Sequence, residues 1–146
     1  MIDINIETMT TDDIFSIEKD FLVTFDNFWS FDNLKNDFES TNSRYIVAKS
    51  NKEILGFAGI KIILDEAEIM NIAVRTDKRN NGIGSLLLEK LISIATDSNC
   101  TTIHLEVNEE NVQAIHLYEK YNFDRIGLRK NYYNNTNDAI LMKKTI

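Results

Sequence analysis

A short loop with one arginine and two glycines is the clearest candidate for chemistry in this sequence. It reads Arg79-Asn80-Asn81-Gly82-Ile83-Gly84, follows the apolar run Met70–Val74, and precedes an amphipathic helical pattern. A helix N-terminus offers N–H groups to anions, glycines let the backbone approach closely, and the arginine adds a fixed charge. The loop therefore predicts a phosphate site. A plain turn remains open, and the spacing is neither that of a Walker A motif nor that of a dinucleotide fingerprint.

Two side chains further along the chain could move protons. Glu106 alternates with apolar residues in Thr102–Val107, so it shares one face of a predicted strand with His104. Tyr118 lies on a predicted short helix, and its phenol, with an ordinary pKa near 10, can donate a proton. From the residues alone, a solvated or salt-bridged glutamate and an amphipathic core tyrosine remain open.

The histidines and the cysteine do not predict a metal site. His104 and His116 are the two histidines, and neither has metal-ligand spacing with carboxylates or with Cys100. Cys100 is the single cysteine, so no internal disulfide is possible, and we expect a small buried residue at the start of a strand. A cytoplasmic location is expected for such a chain.

The composition limits the partners of the chain. A length of 146 residues fits one domain, which we expect to span 1–146. The net charge of −7 argues against nucleic acid or an anionic membrane as the main partner, because both require clustered Lys and Arg. The same charge suits a cationic substrate or serves solubility. No apolar run approaches the length of about 20 residues that spans a membrane.

Hydrophobic periodicity predicts the order β-α-α-β-β-β-α-β-α-β-β. Three strands follow each other as hairpins, and two more are joined through a helix, which implies a parallel pair. Gly56 and Gly59 predict a bulge or a close backbone approach within their strand, and Asn122 predicts a left-handed helix end. The predicted elements are Ile2–Glu7, Thr11–Val23, Ser30–Phe38, Arg44–Ser50, Glu53–Ile63, Glu66–Val74, Gly84–Asp97, Thr101–Val107, a helix within Asn108–Tyr121, Phe123–Arg129 and Asp138–Lys144.

Several of these runs together resemble the GNAT acetyltransferase superfamily, and more narrowly its ribosomal-protein-alanine N-acetyltransferases of the RimI type. The resemblance covers essentially the whole chain. It implies an α/β fold (α+β by some conventions), with a mixed, mostly antiparallel sheet of six to seven strands, about four helices and one central parallel pair. The runs are Asn71-Ile72-Ala73-Val74, the glycine loop, Leu105-Glu106-Val107, Asn111 to Glu119, Leu64-Asp65-Glu66-Ala67, Asn131-Tyr132-Tyr133 and Asp138-Ala139-Ile140.

The resemblance also implies the roles of individual residues toward acetyl-CoA. Glu106 would be the general base and Tyr118 the general acid. Asn111 would contact the arm of the cofactor, and Arg79 would add its charge beside the phosphates. Backbone groups of Ile72, Ala73 and Val74 would bind the pantetheine arm and the acetyl carbonyl, and those of Asn80, Asn81, Gly82, Ile83, Gly84 and Ser85 would hold the pyrophosphate.

The implied reaction is direct acetyl transfer, in a ternary complex, to the N-terminal α-amine of a protein, such as the alanine of a small-subunit ribosomal protein. An α-amine titrates near pH 8 and a lysine near 10.4, so one carboxylate suffices as base for the α-amine. Acetylation of a lysine or a small amine, and an acyl-CoA-binding module without turnover, remain open. Trp29, Tyr132 and Tyr133 are candidates for an acceptor groove, and Asp138 with Glu66 for its negative charge.

Overall fold

The computed structural model describes residues 3–24, 30–133 and 137–146. The predicted order of helices and strands is confirmed, with an added 3-10 turn at Thr76–Lys78. The strands are β1 (Asn5–Thr8), β2 (Ser43–Ser50), β3 (Glu53–Ile63), β4 (Glu66–Val74), β5 (Thr102–Asn108), β6 (Asp124–Tyr133) and β7 (Asn137–Thr145). The helices are α1 (Thr11–Thr24), α2 (Phe31–Phe38), α3 (Ile83–Asp97) and α4 (Val112–Lys120).

The seven strands form one mixed sheet in the order β1-β2-β3-β4-β5-β7-β6. Its neighbours are antiparallel except β4 and β5, which are parallel and are joined through α3. The predicted fold class, with one central parallel pair and about four helices, is confirmed. None of the described helices is long and apolar enough to cross a bilayer.

Apolar side chains pack on both faces of the sheet. On one face, α3 and α4 cover the larger core, to which Leu87, Leu91 and Ile103 belong. On the other face, Ile14 of α1 and Leu34 of α2 belong to a smaller core. We call these the α3 face and the α1 face, and the alternation of side chains along each strand assigns every residue to one of them.

A bulge in β4 changes which of its residues point to each face. Ile60 of β3 pairs with Ile69, whereas the preceding Gly59 pairs with Asn71, so Met70 is the extra residue. Before the bulge, Ile69 packs in the core of the α3 face. After it, Ala73 packs in the core of the α1 face. The bulge therefore turns the side chain of Asn71 to the α1 face.

Side-chain hydrogen bonds cap the starts of α1 and α2. The Thr10 hydroxyl accepts a hydrogen bond from the Asp13 N–H at 3.2 Å, and Asp13 accepts one from the Thr10 N–H at 2.9 Å. The Ser30 hydroxyl accepts from Asn33 at the start of α2. Burial opposes ionisation of Asp13, but hydrogen bonds from Lys49 and Thr10 outweigh it and hold the pKa of that carboxyl below its usual value.

Asparagine takes five of the seven left-handed non-glycine positions in the described residues, in a chain without proline. Asn122 has φ of 69° at the end of α4, which confirms the predicted left-handed cap. Asn80, in the glycine loop, has φ of 67°. The strand β1 starts at Asn5, where its ladder with β2 begins opposite Lys49, and Ile2 of the predicted strand lies outside the described residues.

The two glycines of β3 are sites of close approach, as predicted. A Cβ atom on Gly56 would lie 2.7 Å from the backbone oxygen of Ala73. Gly59 stands between Tyr45 and Asn71 in one cross-strand row. A Cβ on Gly59 would lie 2.2 Å from the Tyr45 ring, which crosses over the glycine toward Asn71.

We expect Gly59→Ala to lower the free energy of unfolding by about 1–3 kcal/mol, because the added methyl must displace a buried ring. Urea denaturation followed by circular dichroism measures the change. Gly127→Ala is the matched control, since its Cβ would meet Leu141 at 3.4 Å, and its stability should stay within about 1 kcal/mol of wild type. Equal stability of all three proteins would show that the ring is not fixed over Gly59.

Candidate active site

A cleft opens where the central parallel strands stop pairing. The ladder between β4 and β5 covers the pairs from Glu66–Thr102 to Glu68–His104, although both strands continue beyond it. The cleft, of ≈ 1140 Å³, lies between Ile69–Val74 on one side and Leu105–Asn108 on the other. The free edge of β4 here carries backbone groups that a bound molecule can pair with.

The glycine loop forms one end of this cleft. Gly82 is the N-cap of α3 with φ of 76°, and as a glycine it supplies no capping side chain. The first N–H groups of a 15-residue helix therefore face the cleft with their partial positive charge. The Asn81 amide donates hydrogen bonds to the carbonyl oxygens of Lys78 at 3.0 Å and Arg79 at 3.4 Å, which fixes the loop.

The structure brings nearly all the predicted site residues to this one cleft. Asn81 is the exception, because its side chain is used inside the loop and it does not line the cleft. Sequence reasoning missed Thr76 and Lys78, which line the same end. The lining includes Ile72, Ala73, Val74, Arg79, Asn80, Gly82, Ile83, Gly84, Ser85, Glu106, Asn111 and Tyr118.

Glu106 lies on the α1 face of the sheet, because Leu105 and Val107 on either side of it pack in the core of the α3 face. Its side chain is 28% exposed, and its Oε1 lies 2.9 Å from Nη2 of Arg129. Glu106 therefore forms a salt bridge, one of the alternatives left open by the sequence, and it also lines the cleft. Arg129 also stacks on the ring of Tyr132 at 4.9 Å.

Tyr118 approaches the cleft from the opposite face. It lies on α4, belongs to the core of the α3 face and packs against Phe123 with ring centroids 5.8 Å apart. Asn111 begins the same helix, and its side-chain oxygen accepts a hydrogen bond from the Ala114 N–H at 3.2 Å. The amide N–H₂ of Asn111 is the group that this cap leaves for a ligand.

A second groove, of ≈ 380 Å³, joins the cleft at Glu106. Its acidic lining also includes Glu66 and Glu68, beside Lys61, His104 and Arg129. Asp138 does not line this groove with Glu66, because the sheet register puts the two residues at opposite ends of β5, near Asn108 and Thr102 respectively. Tyr132, a predicted groove residue, contacts Arg129 through its ring but does not line the groove. Trp29 and the side chain of Tyr133 lie outside the described residues.

Sequence reasoning missed a buried polar network beside the cleft. Tyr45 donates a hydrogen bond to Asp37 at 2.5 Å and accepts one from the Asn71 amide at 3.1 Å. Burial, and then the Asp37 carboxylate, raise the pKa of the Tyr45 hydroxyl far above its ordinary value, so it stays protonated. The sequence indicated a close approach at Gly59, next to this network, but it did not identify the residues that form the hydrogen bonds.

Cys100 is buried and does not line the cleft. Burial raises the pKa of the Cys100 thiol, as expected for a small buried residue rather than a nucleophile. Among the residues that the structure describes, no group of three or more His, Cys, Asp or Glu side chains is placed to hold a metal ion.

Comparison with known proteins places this arrangement in a family. The acetyltransferase (GNAT) family matches residues 11–123. The chain belongs to this family. Its predicted activity class, an acetyl-CoA-dependent N-acetyltransferase, is confirmed with it.

Relatives named for acetylation of a ribosomal protein are similar over much of the chain. The ribosomal protein bS18-alanine N-acetyltransferase of Haemophilus influenzae is 43% identical over 72% of this chain and 70% of its own. A putative enzyme of the same name from Bacillus subtilis is 30% identical over 97% and 93%. The crystal structure of the ribosomal-protein-alanine N-acetyltransferase from Escherichia coli superimposes with a TM-score of 0.87 at 31% identity, covering 99% of this chain and 94% of that one.

We expect Gly82→Ala to lower the free energy of unfolding by about 1–2 kcal/mol without any clash. A Cβ on Gly82 meets no atom within 4 Å, so the cost arises from its left-handed φ alone. Gly82→Asn is the matched control and should cost less, because asparagine tolerates this conformation better than alanine. Urea unfolding of the ligand-free proteins measures both values, and an asparagine variant less stable than the alanine variant would contradict the strain argument.

Proposed function

We propose that this enzyme transfers the acetyl group of acetyl-CoA to the N-terminal α-amine of a protein, the N-terminal alanine of a small-subunit ribosomal protein. The observation that carries the proposal is a cleft through the sheet with Glu106 on one face and Tyr118 on the other. The names of the relatives from Haemophilus influenzae and Escherichia coli support the choice of acceptor. A ribosomal acceptor places the reaction in the cytoplasm.

The proposed cofactor site follows the length of the cleft. The N–H groups at Asn80–Ser85 bind the pyrophosphate, with Arg79 adding positive charge. The free edge of β4 at Ile72–Val74 pairs with the amides of the pantetheine arm, and Asn111 donates to the arm from the facing wall. These groups come from a loop, a strand and a helix start, and they meet at the cleft because β4 and β5 separate there.

The proposed chemistry uses one proton acceptor and one donor. The lone pair of the amine attacks the acetyl carbonyl carbon, and Glu106 takes the proton that the nitrogen loses, directly or through water. The C–S bond then breaks, and Tyr118 gives its proton to the departing sulfur. The base and the acid lie on opposite faces, so they serve the amine and the thiol without competing for the same proton.

The groove beside Glu106 favours an acceptor with a positive charge near its reacting end. Three glutamates line the groove against two cations, Lys61 and Arg129, and this acidic excess favours a protonated amine near the point where it can release its proton. At pH 7 about a tenth of α-amines are neutral, against fewer than about one in a thousand lysines. A site with a single carboxylate base therefore suits the α-amine.

We propose that residues 1–146 form a single GNAT domain. One sheet runs through the described chain from β1 to β6, and its strands from both halves of the sequence share the core of the α3 face. The cleft is made of segments from Ile69 to Tyr118, and the groove adds Lys61 and Leu141.

Replacing the candidate base or acid tests the proposed roles. We expect Glu106→Gln and Tyr118→Phe each to lower kcat by at least about 100-fold, as for lost general acid–base catalysis, with the affinity for acetyl-CoA nearly unchanged. Release of CoA measures turnover, and calorimetry measures binding. Unchanged kcat in both variants would exclude the assigned roles, and binding without CoA release by the wild-type protein would indicate a non-catalytic module.

Matched peptides test the proposed acceptor. A peptide that begins with alanine should be acetylated, and the same peptide with a blocked N-terminus and an internal lysine should react at least about 100-fold more slowly, because its amine is protonated. Mass spectrometry locates the acetyl group in each product. Equal rates on both peptides, or faster reaction of a small amine, would refute the α-amine proposal.

A further inference from the structure

An amide oxygen at the wall of the cleft has no hydrogen-bond partner among the residues that the structure describes. Asn71 is 7% exposed, and its side-chain oxygen Oδ1 accepts no hydrogen bond from the part of the chain that the structure describes. The same residue lines the cleft between β4 and β5. A buried carbonyl oxygen without a donor is unfavourable, so this atom is placed to accept a hydrogen bond from a bound molecule.

The network behind Asn71 fixes which end of its amide faces the cleft. The Asp37 carboxylate forms an ion pair with Lys61 at 3.2 Å and accepts a hydrogen bond from the Ser43 hydroxyl at 2.9 Å. It therefore acts as a hydrogen-bond acceptor. The Tyr45 hydroxyl donates its one hydrogen bond to Asp37, so its oxygen can only accept from a further partner. Asn71 can meet that oxygen with its N–H₂ group alone, so its carbonyl oxygen is turned away from the network.

The face of the sheet on which Asn71 lies decides which substrate it meets. The bulge at Met70 turns Asn71 to the α1 face, and Glu106 points to the same face from β5. The groove that joins the cleft at Glu106 lies on this side as well. The helix α3, whose N-terminus carries the phosphate loop, packs on the other face. Asn71 and Glu106 therefore form two walls of the cleft on the side of the acceptor.

We propose that Oδ1 of Asn71 accepts a hydrogen bond from the reacting amine of the acceptor. A neutral primary amine has two N–H bonds, one for Glu106 and one for Asn71. With both bonds held, the lone pair of the nitrogen points along the cleft to the acetyl carbonyl. Tyr45 and Asp37 are positioning residues that act through Asn71. The inference rests on the proposed acetyl transfer to an amine, and it holds for any primary amine.

Steady-state kinetics of Asn71→Ala test the proposal with an alanyl peptide and acetyl-CoA as the two substrates. We expect the KM for the amine to rise about three- to tenfold, the effect of one hydrogen bond, while the KM for acetyl-CoA stays within about twofold. Tyr45→Phe keeps the ring over Gly59 but lets the Asn71 amide rotate, so the same KM should rise by a smaller factor. The control is Thr102→Val, which removes a second buried oxygen that has no partner among the described residues. Thr102 does not line the cleft, so this variant should change neither KM.

Three outcomes would overturn the proposal. Weaker binding of acetyl-CoA to Asn71→Ala, with an unchanged KM for the amine, would show that the amide holds the cofactor. No change in either KM would show that the oxygen is unused. Equal increases in the KM values for the amine and for acetyl-CoA, together with a lower Tm, would show a purely structural role. The choice of the wild-type enzyme between free and blocked peptides tests the proposed function separately, and each variant is compared with wild type on the amine that wild type acetylates.

Discussion

The short ladder between β4 and β5 is the constraint on which the site depends. Where these parallel strands pair, from Glu66 to Glu68, the sheet is continuous, and where they separate it opens into a cleft of ≈ 1140 Å³. The opening exposes a strand edge whose backbone can pair with a ligand, and it connects the two faces of the sheet. A molecule that reaches in from one face can meet one that reaches in from the other.

The two faces differ in their chemistry. On the α3 face, the start of α3 supplies partial positive charge for phosphates, and Tyr118 approaches through an apolar core. On the α1 face, Glu106 lies in an acidic groove, and the buried hydrogen bonds from Asp37 through Tyr45 to Asn71 hold an amide at the cleft wall. The bulge at Met70 links these arrangements, since it turns Asn71 toward the face on which Glu106 lies.

The sequence predicted the fold well because its local signals were strong. Alternation in β3 and β4, the apolar stripe of α3 and the asparagine at position 122 each depend on nearby residues. The ion pair of Glu106 with Arg129 and the network at Asn71 join residues far apart in the chain, and the register of the sheet decides them. Gly59 indicated a close approach, but the ring that contacts it belongs to Tyr45, which lies 14 positions earlier on the neighbouring strand. Partners set by register could not be predicted from spacing.

In the proposed geometry, the acetyl donor and the acceptor enter the cleft from opposite faces of the sheet. A crystal structure of the enzyme with a conjugate that joins CoA to an alanyl peptide through its nitrogen tests this directly. We expect the pyrophosphate at the start of α3, the joined nitrogen between Glu106 and Asn71, and the peptide chain in the groove beside Glu66. A peptide chain that leaves the cleft over α3 or α4, on the same face as the CoA, would contradict it.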